Sequence, residues 1–193
     1  MFRSLYDRML RLAAHRRALP ALALVSFAES SVFPIPPDAM LIPMCLAARD
    51  RAFRFAFVCS VASVLGGVLG YAIGYFAYET IGRTIVAFYG LESAMENYRA
   101  LFAVWGLWII LIKGLTPIPY KVVTIASGVA AFDPAVFVVA SIVTRAGRFY
   151  ILAALLWRFG PPIQAFIEKR LTVLGWGFLA VLVGGFIIVR YAL

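Results

Sequence analysis

Six charged residues stand within or beside apolar stretches of this 193-residue chain: Glu29, Asp38, Lys113, Lys121, Arg145 and Arg148. Glu29 and Asp38 bracket one proline-rich break, Glu29-Ser-Ser-Val-Phe-Pro34-Ile-Pro36-Pro37-Asp38. Lys113 and Lys121 bracket another, Lys113-Gly-Leu-Thr-Pro117-Ile-Pro119-Tyr-Lys121. Arg145 and Arg148, three apart, share one face of a helix. A carboxylate in a low-dielectric cavity exchanges protons closer to neutral pH than in water. A group of lysines and arginines binds phosphate, arginine as a two-pronged fork and lysine as a point charge. Acids in one half and bases in the other therefore point to a proton-linked site for an anionic headgroup. The competing reading is structural, with the same charges paired into salt bridges that hold the breaks together. Either way, one charge at a bilayer centre costs roughly 2.5–3.5 kcal/mol on insertion scales, so six of them need partners or water.

Other chemistry finds little support. His15 is the one histidine, and no His-x-x-Glu or Cys-x-x-Cys spacing occurs, so neither a metal nor another cofactor is expected. Cys45 and Cys59 lie in apolar runs and read as small buried residues. Gly66, Gly70 and Gly74 lack the Lys-Ser/Thr ending of a phosphate loop and sit in an apolar helix, where four-residue spacing of small residues makes a packing face. No enzyme is expected; a phosphatase or lipid transferase built on Asp38 and the bases is the enzymatic alternative.

The elements that must position these charges follow from composition. The chain is 64% hydrophobic and 14% charged, which excludes a soluble globular domain and makes the bilayer its solvent. With that apolar content, the net charge of +9 belongs to a membrane surface and not to nucleic acid. Phe55–Tyr78 holds 24 consecutive uncharged residues and Leu171–Val189 holds 19, against about 20 needed to span. The pieces around the breaks, Ala18–Ala28, Ala39–Ala48, Ala100–Ile112 and Val122–Phe132, are too short to span alone. Sliding the chain by 83 positions lays Pro34-Ile35-Pro36 on Pro117-Ile118-Pro119, Ile42 on Ile125 and Asp50 on Asp133. This internal repeat predicts two re-entrant hairpins with apices at Pro34, Pro36 and Pro37 and at Pro117 and Pro119. Such non-helical backbone must be buried in protein or line a wet cavity.

The expected fold is an all-α polytopic membrane protein of two inverted repeats. Each is a re-entrant Pro-x-Pro helical hairpin plus a transmembrane helix, and an extra C-terminal transmembrane helix follows. A single membrane domain, 1–193, would hold a basic interfacial helix (1–17), repeat one (18–78), an amphipathic connector (79–103), repeat two (104–157) and the last helix (171–190). Full Pro-kinked spans are the alternative to re-entrant hairpins. A signal peptide over Ala18–Ala28 is set aside, since Glu29 and the prolines interrupt it. Eleven of the 18 basic residues fall in 1–17, 49–54 and 158–170, so the positive-inside rule puts those segments in the cytoplasm and 79–99 outside.

The run Phe27–Asp38, the glycine-rich helix Gly66–Gly74, and Lys113–Lys121 with Ala126-Ser-Gly128 resemble the DedA family. These are the VTT-domain or SNARE-associated membrane proteins, and the likeness is nearest to the YqaA-like branch, over roughly residues 20–157. The resemblance implies a multi-pass protein of the bacterial cell inner membrane with opposed re-entrant hairpins. It implies flippase or scramblase work on undecaprenyl phosphate or phospholipids, dependent on proton motive force. Glu29 and Asp38 match the family's membrane acids. Lys113 and Lys121 stand where better-studied branches carry arginine in a Gly-Arg-Phe-x-Pro-x-x-Arg-like pattern, leaving Arg145 and Arg148 to supply the forked contacts. The expected partners are phosphate-bearing membrane lipids, with protons and a second copy of the chain as further ones. A small-ion or solute transporter and a non-transporting membrane scaffold affecting envelope integrity remain as other classes.

Overall fold

The computed structural model describes residues 18–31, 36–115, 120–160 and 162. The basic segment 1–17, Pro34, Pro117, Pro119, the side chain of Lys113 and the expected helix at 171–190 lie outside the described residues. Among the described residues the structure is helical, with no strand. In order come α1 (Ala18–Ser31), α2 (Asp38–Ala47), a 3-10 turn (Arg49–Arg51), α3 (Ala52–Ala77), a π-helical turn (Tyr78–Gly82), α4 (Arg83–Phe88), α5 (Glu92–Leu115) and α6 (Tyr120–Val129). The last is α7, Pro134–Gly160. Arg49–Phe88, Glu92–Ile112 and Pro134–Gly160 are long and apolar enough to cross a membrane.

Local chemistry sets several of these ends. Asp133 caps α7: its Oδ1 accepts the backbone N–H groups of Ala135 and Val136, both at 2.9 Å, and Pro134 needs no acceptor at the first helical position. α6 closes with Ala131 in the left-handed region, φ 52°, and with the Phe132 N–H bonded back to the Ser127 carbonyl. One boundary differs from the sequence reading. The apolar piece expected at Ala100–Ile112 belongs to the 24-residue helix α5, which begins at Glu92. The chain breaks at Gly90, φ 65°, and nothing between Glu92 and Ala100 opposes helix.

Helix directions follow from contacts along α3. Ser26 of α1 reaches the Cys59 carbonyl and Ser30 reaches Ser63, so α1 runs parallel to α3 and ends beside its middle. α2 starts there, with Asp38 on Arg148 of α7, and returns; Arg49, just past its end, donates to the Trp157 carbonyl near the α7 C-terminus. α6 also runs parallel to α3, with Tyr120 beside Gly67 and Gly128 against Tyr71 and Tyr75. Tyr98 near the start of α5 bonds the Ala126 carbonyl near the end of α6 (2.9 Å), so these two are antiparallel. α1 thus ends, and α6 begins, beside the middle of α3.

Close approach depends on glycine. A Cβ at Gly66 would overlap the Phe27 carbonyl oxygen of α1, and one at Gly74 the Ile125 carbonyl oxygen of α6. Gly70 faces Thr124 and the Ser30 carbonyl, so the row at 66, 70 and 74 is the face on which α1 and α6 are seated.

Beside two apolar clusters, the interior holds many hydroxyls, and the surface carries many large apolar side chains. Ser26, Ser30, Ser63, Thr124, Ser127, Ser141 and Arg145 are buried, whereas Phe57, Leu65, Phe76, Val104, Trp105, Trp108, Ile142 and Ile151 are exposed. Ser60, Ser127 and Thr144 return their hydroxyls to the carbonyl four residues back, which satisfies them without water. An apolar exterior around a hydroxyl-lined interior is the arrangement of helices packed in lipid.

Candidate functional site

Arg145 is the largest fully buried side chain among the described residues, at 2% exposure, and lies near the middle of α7. Its Nη2 donates to Glu29 Oε2 at 2.9 Å and its Nε donates to Ser63 Oγ. Ser30 Oγ donates to the same Glu29 oxygen at 3.1 Å and lies 2.6 Å from Ser63 Oγ. Ser30 has one hydroxyl hydrogen, already given to Glu29, so Ser63 donates to Ser30. The ring of four side chains is therefore oriented, every hydrogen leading from the guanidinium toward the carboxylate. The guanidinium carbon sits 4.6 Å from the Tyr120 ring centroid and 4.9 Å from that of Phe149. Tyr120 is itself fixed by donating to Ser141. Ion pairing, hydroxyls and two aromatic rings together offset the desolvation of this cation.

One helical turn along α7, Arg148 donates to Asp38 Oδ2. This pair is more open, with side-chain exposures of 38% and 23%. Asp38 Oδ1 is buried and has no hydrogen-bond partner among the described residues. Asp38 and Arg148 line a cavity of about 340 Å³ whose other walls are Ile42, Ile151, Leu152 and Leu155. The site is amphiphilic: a charged pair at one side and aliphatic walls beyond it. Counting about 1.5 Å per residue, Arg145 and Arg148 each stand roughly 16–18 Å from the nearer end of α7.

Of the residues singled out from sequence, the structure brings Glu29 together with Arg145 and Asp38 together with Arg148. Lys121 follows Tyr120 at the start of α6 and is partly buried. Lys113 lies in the last turn of α5. Pro36 and Pro37 lead into α2, their carbonyls accepting its first N–H groups. Cys45 and Cys59 are buried and free. Among the described residues no group of three His, Cys, Asp or Glu side chains is placed to hold a metal. Ser30, Ser63, Tyr120 and Phe149 were not legible as site residues. The signal available was spacing: Ser26 and Ser30 share a face of α1, and Ser60 and Ser63 share one of α3.

At the far end of the bundle, Glu79 pairs with Arg83 at 2.7 Å and with Arg99 at 3.7 Å, and Arg99 stacks 4.6 Å over Tyr78. Arg99 also reaches the Val129 carbonyl at 3.4 Å, so this network ties α5 to the π-helical turn after α3 and to the end of α6.

Compared with known proteins, the chain is 37% identical over 192 residues to an uncharacterized protein of Haemophilus influenzae, covering 98% of both. It is 33% identical over 190 residues to an uncharacterized protein of Histophilus somni, covering 98% of this chain and 99% of that one. No family model matches the chain. No solved structure matches it.

Proposed function

The chain belongs to the family of these Haemophilus influenzae and Histophilus somni proteins, and from that premise we propose that it is an inner-membrane protein of DedA type that moves an anionic lipid, polyprenyl phosphate or phospholipid, across the bilayer. The observation that carries this reading is the Arg148–Asp38 pair, near the middle of a helix long enough to span and open onto an aliphatic cavity. A small ion needs no such wall, whereas a phosphate-bearing amphiphile needs a cation and an apolar surface side by side.

Three further features support it. The bounds of α1, α2 and α3, moved by 83 positions, fall within one residue of the last part of α5, of α6 and of α7, in keeping with two inverted repeats. The helix directions suit two re-entrant hairpins opening on opposite faces. The N-termini of α2 and α6 both begin at the breaks, and their positive dipole ends favour an anion there. With the N-terminus cytoplasmic, Arg49 and Arg158 lie on the inner face and the Glu79–Arg99 network on the outer one.

Because each acid already has an arginine partner, a second reading is a scaffold whose ion pairs staple the breaks. Purified protein in liposomes separates them. Movement of a fluorescent phosphate-bearing lipid between leaflets, lost in Arg148→Gln, supports translocation. Uptake of a trapped-solute reporter without lipid movement supports a solute transporter, and neither activity leaves the scaffold.

A further inference from the structure

Arg145 and Arg148 stand one turn apart on α7, yet their carboxylate pairs are built for different work. Arg145 is held by Glu29, Ser63, Tyr120 and Phe149 at 2% exposure. Freeing it would strand a buried cation and open a closed ring of hydrogen bonds. Arg148 is 38% exposed and contacts a single carboxylate oxygen, while the other oxygen of Asp38 is buried with no donor among the described residues. The contact is one-pronged where arginine and carboxylate can make two, so the grip is incomplete on both sides. A guanidinium has five N–H donors, and a phosphate offers three acceptor oxygens and more negative charge than a carboxylate.

We propose that Asp38 is the chain's own stand-in for the anionic group of the ligand. It holds Arg148 until a phosphate-bearing amphiphile enters along Ile42, Ile151 and Leu155 and displaces it, while Glu29 keeps Arg145 throughout. Arg148 is thus the exchangeable contact and Arg145 a fixed post. Asp38 sets the threshold: only an anion that beats a carboxylate at Arg148 is held. This rests on the reading that the cavity takes an anionic amphiphile.

The experiment is a binding titration with hexadecyl phosphate on the full chain in phosphatidylcholine nanodiscs. Removing the internal competitor in Asp38→Asn should tighten binding about two- to fivefold, the span expected for a partly exposed charge pair. Arg148→Gln should weaken it at least about tenfold. Should Asp38→Asn not accumulate, Asp38→Ser carries the same expectation. Unchanged or weaker binding in the Asp38 variant, with binding still dependent on Arg148, overturns the stand-in role alone. Binding indifferent to Arg148→Gln overturns the reading of the cavity and this inference with it.

Discussion

Neutralising Glu29 should be far costlier than neutralising Asp38, although the two acids look alike in sequence. In Glu29→Gln the amide oxygen can still accept from Arg145 Nη2, but the guanidinium, 2% exposed, loses its counter-charge. Breaking a buried pair from one side costs about 3–5 kcal/mol, and the retained hydrogen bond puts this case near the lower figure. For a chain of this size about 3 kcal/mol corresponds to a fall of roughly 6–12 °C in Tm. In Asp38→Asn the affected pair is 23% and 38% exposed, so the loss should stay below about 1 kcal/mol, or roughly 4 °C. The assay is thermal unfolding of each purified variant in one detergent, followed by tryptophan fluorescence. The double variant Glu29→Gln/Arg145→Met should recover most of the loss, because it leaves no unpaired charge. Equal shifts for the two acids, or a larger one for Asp38→Asn, would refute the distinction between fixed and exchangeable pairs.

The glycine face gives a contrast within one assay. Gly66→Ala and Gly74→Ala press a methyl group onto backbone carbonyls and should cost about 1–3 kcal/mol or more, while Gly147→Ala, with nothing within 4 Å, should be neutral or stabilising. Ala131→Gly should raise stability by about 1 kcal/mol, since glycine adopts the left-handed conformation without strain; an unchanged or lower melting temperature would count against that assignment. Topology is tested with single cysteines in a Cys45/Cys59-free background. A cysteine at Glu92 should react with impermeant maleimide from outside whereas one at Arg51 should not, and the reverse would overturn the orientation.

Much of this arrangement was legible because bilayer constraints are severe. Charges in apolar runs, prolines between short apolar pieces and glycines four apart all stand out against lipid. What could not be read was which base meets which acid. Arg145 and Arg148 are three apart and chemically identical, and only packing against α1 and α2 sends one to Glu29 and the other to Asp38. The supporting residues were hidden by type: serine in a membrane helix ordinarily bonds its own backbone, as Ser60 does, so Ser30 and Ser63 carried no mark. The length of α5 was obscured because Glu92, Glu96 and Arg99 resemble a connector, although their helix continues to Leu115.

The most direct test of the central claim is the lipid that travels with the protein. The wild type, extracted gently from its native membrane and analysed by native mass spectrometry, should retain a phosphate-bearing lipid, and Arg148→Gln of equal thermal stability should lose it. Identical lipid complements in the two proteins, or no phosphate-bearing lipid on either, would contradict a headgroup site at Arg148.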